Sequence, residues 1–513
     1  MGKIFSSYKK ALYDEIVDNI SSNTSQYYAF ASSPIAVSNV VSVTDDDYSS
    51  QFQTDWEMIF GKKLTENDVI PVISKNIWTS NTVYDRYDNT SNTVYANNNF
   101  YVFCTPASPG GSYHVYKCID NANGSVSTFS PSSIGTPTQA TTFTTSDNYK
   151  WRYLTSVSSA IYDAFSTNDY APIYPNTTIQ TNALNNSGVD VVMIVNSGIG
   201  YACYSSGTVR SNPNTTVVEI DPSSSGDNDF YTNNAIYIYN NIAATSQLFG
   251  ISKYVANTSG KWIYLDKTAN TTNITPAVTQ YKISPKVVFD SDGTSPTAYS
   301  VVNTSTNSIS QVIILDSGSS VSYANVVIQS NTSYGSGANL YAIVPPPGGH
   351  GVEPATELNM KGVGISFSFY NTEGGTIVAS NTTYNKIGII KKPYTINTNG
   401  TKGSLYVSNT FSSLLKANVY YTFTEGETIT GVTSGAHGIV VFANSSQVFL
   451  TGDKDFTDGE YVANSSGSIV TTITINTRGD IYTKDIRPLY VQNINNVNRS
   501  NTQTESFKLV FQI

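Results

Sequence analysis

Three histidines are the first residues to consider as catalytic or metal-binding groups, because the chain contains no others. His114, His350 and His437 lie in different segments, and none belongs to a His-x-x-x-His or Cys-x-x-Cys pattern typical of zinc sites. A nucleophile triad would need one of them, yet no Gly-x-Ser-x-Gly motif stands at a clear strand-to-helix junction. His350 lies between glycines, which favours a tight turn over a catalytic loop. We therefore predict no catalytic, cofactor-binding or metal-binding residues.

Acidic loops are a second place to look for metal ligands. The loops are Asp45–Asp47, Asp227–Asp229 and Asp290–Gly293, and none continues into a twelve-residue calcium loop that ends in glutamate. We predict solvated turns capped by their own Asp and Asn side chains. Paired carboxylates for glycoside hydrolysis remain an open alternative at this stage.

The cysteines indicate the redox setting. Cys104, Cys118 and Cys203 are too few for a disulfide framework in 513 residues. We predict folding in a reducing cytoplasm, with Cys104 and Cys118 as free buried thiols on two arms of one hairpin.

Composition indicates which elements must position these residues. Charged residues make up 13% of the chain, and aromatic residues 12%, including 37 tyrosines. Abundant Tyr, Thr, Val, Ile and Phe favour strands, and Asn, Ser and Gly favour turns. We predict a mainly β, multidomain protein of β-sandwich-like domains, with a few short helices near the N-terminus. The net charge of −9 argues against a nucleic-acid partner, and neither a membrane-spanning run nor a signal peptide is found.

Local patterns place individual elements. An apolar stripe predicts a helix from Lys3 to Ile20, and a second helix is predicted over Asp47–Phe60. Hairpin arms are predicted at Asn99–Cys104 and Tyr113–Ile119. Further strands are predicted at Trp151–Val157, Val363–Tyr370 and Phe507–Ile513. A helical turn is predicted after the first of these strands, at Ala160–Phe165.

Two internal repeats subdivide the chain. One repeat is an apolar run followed by an Asn/Asp-Ser-Gly turn and a tyrosine. Its first copy contains Asn196-Ser197-Gly198 and Tyr201, and its second copy contains Asp316-Ser317-Gly318 and Tyr323. The other begins at Phe423 and at Phe456. We predict five segments: an N-terminal helix plus β-rich domain (1–185), a middle β region (186–345), a β-rich continuation (346–420), a small inserted β-module (421–475), and a C-terminal strand that returns to the main body (476–513). Pro345–Gly351 fits a linker or a buried rigid turn.

Several strings spread over most of the chain stand out together. They are Asn76–Asp88, Phe100–Val102, Tyr113–Asn121, Gly124–Thr128, Asp147–Leu154, Gly348–Gly351 with Pro354, Glu357 and Leu358, and Arg487–Pro488 with Arg499 and Gln503–Glu505. In type and order these strings resemble the gene product 8 family of baseplate wedge proteins in T-even-type, contractile-tailed phages, with Asn148 in place of a usual glycine.

The resemblance implies a β-rich structural subunit that catalyses no reaction. It would dimerise within each wedge and bind neighbouring wedge proteins in the six-fold tail baseplate. The implied location is the virion, after synthesis in the host bacterial cytoplasm, with no cofactor, nucleic-acid, membrane or small-molecule partner. Low charge and many tyrosines suit large obligate interfaces.

Two other classes of function are weighed against this one. A glycan-binding tail fibre or spike-like adhesin is the alternative, although fibres usually carry heptads or many-copy repeats. A secreted polysaccharide-degrading enzyme would need a signal peptide, which the sequence lacks.

Overall fold

The computed structural model describes residues 5–22, 26–32, 54–134, 142–329, 335–370, 382–398, 400–452, 454–486, 488–500 and 502–513. Strand makes up 47% and helix 13%, which confirms the prediction of a mainly β, multidomain fold with a few short helices. The chain forms two compact units. The first comprises residues 1–72, 164–167 and 361–513, and the second comprises 73–163 and 168–360. The finer division into five segments stays a prediction.

The strands of the described chain are numbered in sequence order. The first eight are β1 (Tyr27–Ser32), β2 (Met58–Lys63), β3 (Val69–Ser74), β4 (Tyr101–Cys104), β5 (Ser112–Asp120), β6 (Thr142–Thr144), β7 (Lys150–Ser158) and β8 (Tyr170–Pro172). The next thirteen are β9 (Val191–Ile199), β10 (Ser205–Thr208), β11 (Ser211–Asn214), β12 (Val217–Glu219), β13 (Ala235–Asn240), β14 (Thr245–Asn257), β15 (Gly260–Leu265), β16 (Gln280–Ser284), β17 (Lys286–Ser291), β18 (Thr297–Asn303), β19 (Ser308–Asp316), β20 (Ala324–Gln329) and β21 (Ser336–Ile343).

The remaining strands follow residue 361. They are β22 (Gly362–Phe369), β23 (Thr383–Lys391), β24 (Tyr394–Ile396), β25 (Lys402–Leu405), β26 (Thr410–Ser412), β27 (Leu415–Asn418), β28 (Thr428–Gly431), β29 (His437–Ala443), β30 (Gln447–Gly452), β31 (Tyr461–Ala463), β32 (Ile469–Thr472), β33 (Thr474–Thr477), β34 (Pro488–Asn498) and β35 (Glu505–Gln512).

Helices are short and connect the strands. The α-helices are Ser6–Ser21, Asn92–Asn97, Ser159–Phe165, Thr177–Asn182 and Pro354–Glu357, with a helical turn at 54–57. The 3-10 helices are Glu66–Asp68, Ala122–Gly124, Pro131–Ile134, Thr271–Asn273 and Thr483–Asp485.

The prediction of a second helix over Asp47–Phe60 is wrong beyond residue 57. Met58–Lys63 is a strand that pairs antiparallel with β1, and its first four residues are fully buried. Burial within a sheet overrides the weak helical periodicity of this segment. Residues 47–53, like the acidic loop Asp45–Asp47 and Arg487, lie outside the described residues.

The first unit contains a five-stranded sheet of order β26-β2-β1-β23-β34. All its described pairings are antiparallel, and the three central strands β2, β1 and β23 contain four or five buried residues each. The C-terminal segment forms β35, which pairs with β22 from Gly362↔Gln512 to Phe369↔Glu505. The predictions of strands at Val363–Tyr370 and Phe507–Ile513 are therefore confirmed.

A closed β-barrel within the first unit contains the predicted module. The strand order is β32-β31-β28-β29-β30-β27-β33. The first and last strands of this order, β32 and β33, are consecutive in the chain, and only Ile473 separates them. One bent strand therefore closes the sheet and leaves no edge open. The apolar core runs from Leu415 to Ile473, so it begins six residues before position 421.

The two halves of this barrel repeat each other. Phe423 and Phe456 are 33 positions apart, and both are buried in the shared core. The backbone hydrogen bonds repeat with the same spacing: Gly426 N to Val440 O (2.7 Å) and Gly459 N to Ile473 O (2.9 Å). Val440 therefore corresponds to Ile473 in the two halves.

The second unit is built from several antiparallel sheets. Strands β4 and β5 form the predicted hairpin and continue into a four-stranded sheet of order β4-β5-β7-β6. The predicted strand at Trp151–Val157 and the helical turn after it correspond to β7 and the helix Ser159–Phe165. A second closed sheet has the order β10-β16-β13-β14-β15-β12-β11, closed by the continuous segment 205–214.

The Ser-Gly-Tyr repeat of this unit is only partly equivalent in structure. Asn196 and Asp316 both accept a 2.9 Å hydrogen bond from the N–H of the glycine two residues on. Tyr201 is buried, whereas Tyr323 is 55% exposed. The shared feature is therefore the turn, and the tyrosines have different roles.

Candidate functional site

The glycine-rich turn carries His350 into the interior of the second unit. Gly348, Gly349 and Gly351 all have positive φ, between 80° and 95°. A Cβ on Gly349 would lie 2.3 Å from the carbonyl oxygen of Ala183, so only glycine fits there. The predicted tight turn is confirmed, as a buried turn rather than a linker, and His350 is 0% exposed.

His350 is not isolated, although the sequence predicts that it is. Its Nε2 lies 2.9 and 3.1 Å from the two carboxylate oxygens of Asp190, so the Nε2–H group donates a hydrogen bond to this carboxylate. Its Nδ1 faces the ammonium of Lys117 and lies 3.0 Å from Glu357 Oε1. Because an ammonium only donates, Nδ1 accepts from Lys117, which also donates to Glu357.

Separate elements deliver the groups of this cluster. Lys117 on β5 pairs in register with Arg152 on β7, and Asp190 directly precedes β9. Glu357 ends the short helix Pro354–Glu357, and its other oxygen accepts a 2.7 Å bond from the N–H of Gly351. We call Lys117, Arg152, Asp190, His350 and Glu357 the buried ion cluster.

An aromatic ring completes the enclosure of Lys117. Its Nζ lies 3.6 Å from the centroid of the Tyr87 ring, a distance typical of a cation–π contact. The same ring meets His350 edge to face, with centroids 5.7 Å apart. Burial raises the pKa of Tyr87, so its hydroxyl stays neutral.

Charge is balanced within the buried ion cluster. Two cations, Lys117 and Arg152, are matched in number by two carboxylates, Asp190 and Glu357. Burial opposes ionisation of Glu357, but the adjacent Lys117 ammonium lowers its pKa to about 2. Burial likewise opposes ionisation of Asp190, and His350 and Lys117 lower its pKa. Burial lowers the pKa of Lys117 against the attraction of Glu357.

This arrangement suits a structural role better than catalysis. Both ring nitrogens of His350 are committed to buried side chains, and the Lys117 and Glu357 side chains are 0% and 2% exposed. The two carboxylates lie on opposite sides of the imidazole, so they do not converge on one point. Within the described residues, no group of three or more His, Cys, Asp or Glu side chains is arranged to hold a metal ion.

The other two histidines belong to different elements. His114 on β5 lies opposite Ser156 on β7, with Nδ1 2.7 Å from the hydroxyl, which also contacts the Tyr153 hydroxyl at 2.5 Å. His114 and Ser156 are therefore in contact because they are directly opposite each other in the pairing of β5 with β7. His437 opens β29 and is exposed.

The cysteines are buried, and the described acidic loops make hydrogen bonds to backbone or hydroxyl groups. All three cysteines are free and buried, and burial raises the pKa of each thiol. Asp292 accepts backbone hydrogen bonds from Ser322 (2.9 Å) and Tyr323 (3.0 Å), so it caps a segment distant in sequence and not, as predicted, its own turn. Asp229 accepts from the Thr232 hydroxyl at 3.0 Å.

Sequence reasoning missed the partners of His350. One signal was available, because Lys117 and Arg152 each interrupt an aromatic strand at a position where the strand pattern predicts burial. A charged residue at such a position requires a buried partner. Spacing gave no means of choosing Asp190 and Glu357, which lie far away in sequence.

Within the described residues, none of the helices combines the length and apolar character that crossing a membrane requires. No known family model matches this chain, and no curated protein is significantly similar to it.

Proposed function

We propose that this protein is a non-catalytic structural subunit of a phage tail baseplate wedge. The observation that carries the proposal is the convergence of the resembling strings. Four of them supply Tyr87, Lys117, Arg152, and the pair His350 and Glu357, and these residues meet in or against one buried ion cluster. Strings that are distant in sequence thus form one structural core, as expected for an architectural family.

Local geometry also accounts for the departure at Asn148. Its φ is 66°, in the left-handed region that glycine adopts freely and asparagine tolerates better than most residues. The replacement therefore preserves the turn that precedes β7. This supports the resemblance at the string Asp147–Leu154.

The alternative, a glycan-binding adhesin, is favoured by a stack of two half-buried tyrosines on a buried one. Tyr237 stacks on Tyr239 and on Tyr299, with centroids 5.3 and 4.9 Å apart. Lys282 lies 5.6 Å from the centroid of the Tyr239 ring. Aromatic rings beside polar side chains can bind ligands with both apolar and hydroxyl faces.

An antibody against the purified chain distinguishes these two functions. Applied to virions of the phage that encodes the protein, it should label the baseplate at the end of the tail in electron micrographs, because a wedge subunit is fixed there. An antibody against the major tail-sheath protein provides the positional control. Label along the fibres would establish the adhesin instead, and unlabelled virions would contradict both.

We further propose a homodimer, for which β34 offers a suitable edge. Its eleven residues, Pro488–Asn498, contain no charge, and Leu489 is 56% exposed. Within the described residues, β34 ends its sheet and pairs only with β23. A long uncharged edge is prone to pair with another strand, and antiparallel self-pairing would bring no like charges together.

Light scattering at micromolar concentration should therefore give twice the mass of the chain. Replacing Gln492 and Asn495 with Lys should shift the protein towards the monomer, because self-pairing then brings like charges together at the edge. The melting temperature of the first unit should change little. Asn409→Lys, at an exposed position outside β34, serves as the control. A strictly monomeric wild type would refute the dimer.

A further inference from the structure

A cavity of about 390 Å³ opens beside the buried ion cluster, within the second unit. The edge strand β6 and strand β7 form one side of it, and segments 186–190 and 314–317 form the other. Thr142 pairs in register with Arg152, and Thr144 with Lys150. Because paired residues share a face of the sheet, two cations and two hydroxyls lie on the same wall.

Arg152 is the unusual member of this wall. The residue is 4% exposed, and its Nη2 donates a 2.6 Å hydrogen bond to the carbonyl oxygen of Asn186. Its Nε has no hydrogen-bond partner, and no carboxylate among the described residues lies within 4.0 Å of the guanidinium. A guanidinium has five N–H donors, so most of its hydrogen-bonding capacity is unused.

Asp190 and Glu357 attract Arg152 through space, but neither carboxylate contacts its guanidinium directly. Segments 135–141 and 330–334, which lie outside the described residues, contain no Asp or Glu. Asp190 also lines the cavity, but its oxygens already accept from His350. Burying a cation without a contacting anion is costly, and a planar oxyanion is the natural partner of a guanidinium fork.

We propose that this cavity binds a small organic oxyanion, a carboxylate or a phosphate ester, held by the free donors of Arg152. Lys150, with its side chain 45% exposed, supplies a second cation, and the Thr142 and Thr144 hydroxyls supply neutral donors. Ile314 and Leu315 form an apolar side that accommodates the organic body. Such a site goes beyond a structural role in a baseplate and does not depend on it.

Calorimetric titration of the full chain tests the site, with acetate and inorganic phosphate as separate probes and sodium chloride at equal ionic strength as the blank. We expect saturable binding of at least one probe, and the preferred probe identifies the class of anion. Arg152→Gln should abolish binding. Lys150→Gln should weaken it about fivefold, as expected for loss of one partly exposed charge contact. Lys253→Gln, an exposed lysine of the same unit, should leave it unchanged.

Two results would overturn the proposal. One is the absence of saturable binding for both probes, and the other is unchanged binding by Arg152→Gln. If Arg152→Gln fails to fold, the double variant Thr142→Val and Lys150→Gln decides the matter, because both residues are on the wall of the cavity and Lys150 is exposed. Binding by that variant as tight as the wild type's would equally refute the site.

Discussion

Replacing Lys117 with Met should lower the unfolding free energy of the second unit by about 3–5 kcal/mol, the usual cost of breaking a buried ion pair. The variant leaves Glu357 ionised, buried and without its ammonium partner, since the Glu357 side chain is only 2% exposed. It also removes the donor to His350 Nδ1. Urea unfolding followed by tryptophan fluorescence measures the change, because Trp78, Trp151 and Trp262 all lie in the second unit.

A double variant separates lost charge balance from lost packing. Lys117→Met combined with Glu357→Gln removes one charge of each sign, so Arg152 and Asp190 still balance. The combined loss should therefore be smaller than the sum of the two single losses. Lys286→Gln is the matched control, because Lys286 and Asp266 form a 3.6 Å pair with side chains 37% and 39% exposed. Its cost should stay below about 1 kcal/mol.

Additive losses in the double variant would contradict this account. Such a result would mean that Lys117 and Glu357 stabilise the unit independently, through packing or through other neighbours. A change as small as that of Lys286→Gln would contradict it too, because it would show the cluster to be solvated in solution.

Elements that depend on local pattern were predictable from the sequence. The hairpin at Asn99–Ile119 combines two aromatic strands with a Pro-Gly-Gly turn, and β35 carries Phe507, Leu509 and Phe511 at every second position. Both signals act over a few residues, and so does the glycine-rich turn around His350. The short helix proposed through Phe60 failed because the decisive interaction, pairing of β2 with β1, joins residues far apart in sequence.

The buried ion cluster was not predictable for the same reason. Lys117 and Glu357 are separated by 240 positions, and no local pattern relates them. The sequence does show a lysine within an aromatic strand, where burying its charge is unfavourable. Such a lysine indicates that a buried partner exists but does not identify it, and only the fold determines which carboxylate is near. The cavity beside the cluster, for which we propose an oxyanion ligand, depends on the same long-range contacts.

The barrel formed by residues 414–478 has the geometry of a removable insertion. Its two ends meet, since a Cβ on Gly479 would lie 2.6 Å from the carbonyl carbon of Ser413. Outside the ends, Ser412 and Asp480 are joined by two hydrogen bonds, of 2.6 Å and 2.7 Å, which excision would preserve. Closely spaced ends and a separate core are the conditions under which an inserted domain can be removed.

Joining Ser413 to Gly479 through a short Gly-Ser linker should leave a soluble chain that still unfolds cooperatively. Excision at 421 and 475 should instead cause aggregation, because it leaves behind β27, whose Leu415 and Ala417 belong to the barrel core. Calorimetry and light scattering on both shortened chains measure the difference. Comparable aggregation of both would show that the barrel stabilises the rest of the first unit.

Residues 413–479 expressed alone should fold, because the sheet closes on itself and exposes no strand edge, although 67 residues is near the lower size limit for a domain. Phe456→Ala should lower the unfolding free energy of this fragment by about 3–5 kcal/mol, since Phe456 is 2% exposed in the barrel core. Tyr461→Ala is the matched control, because Tyr461 lies on β31 and is 60% exposed, and its effect should stay within about 0.5 kcal/mol. Circular dichroism during thermal unfolding provides the measurement. A fragment without a cooperative transition, or one that tolerates Phe456→Ala as well as Tyr461→Ala, would mean that the barrel core does not form independently of the flanking strands.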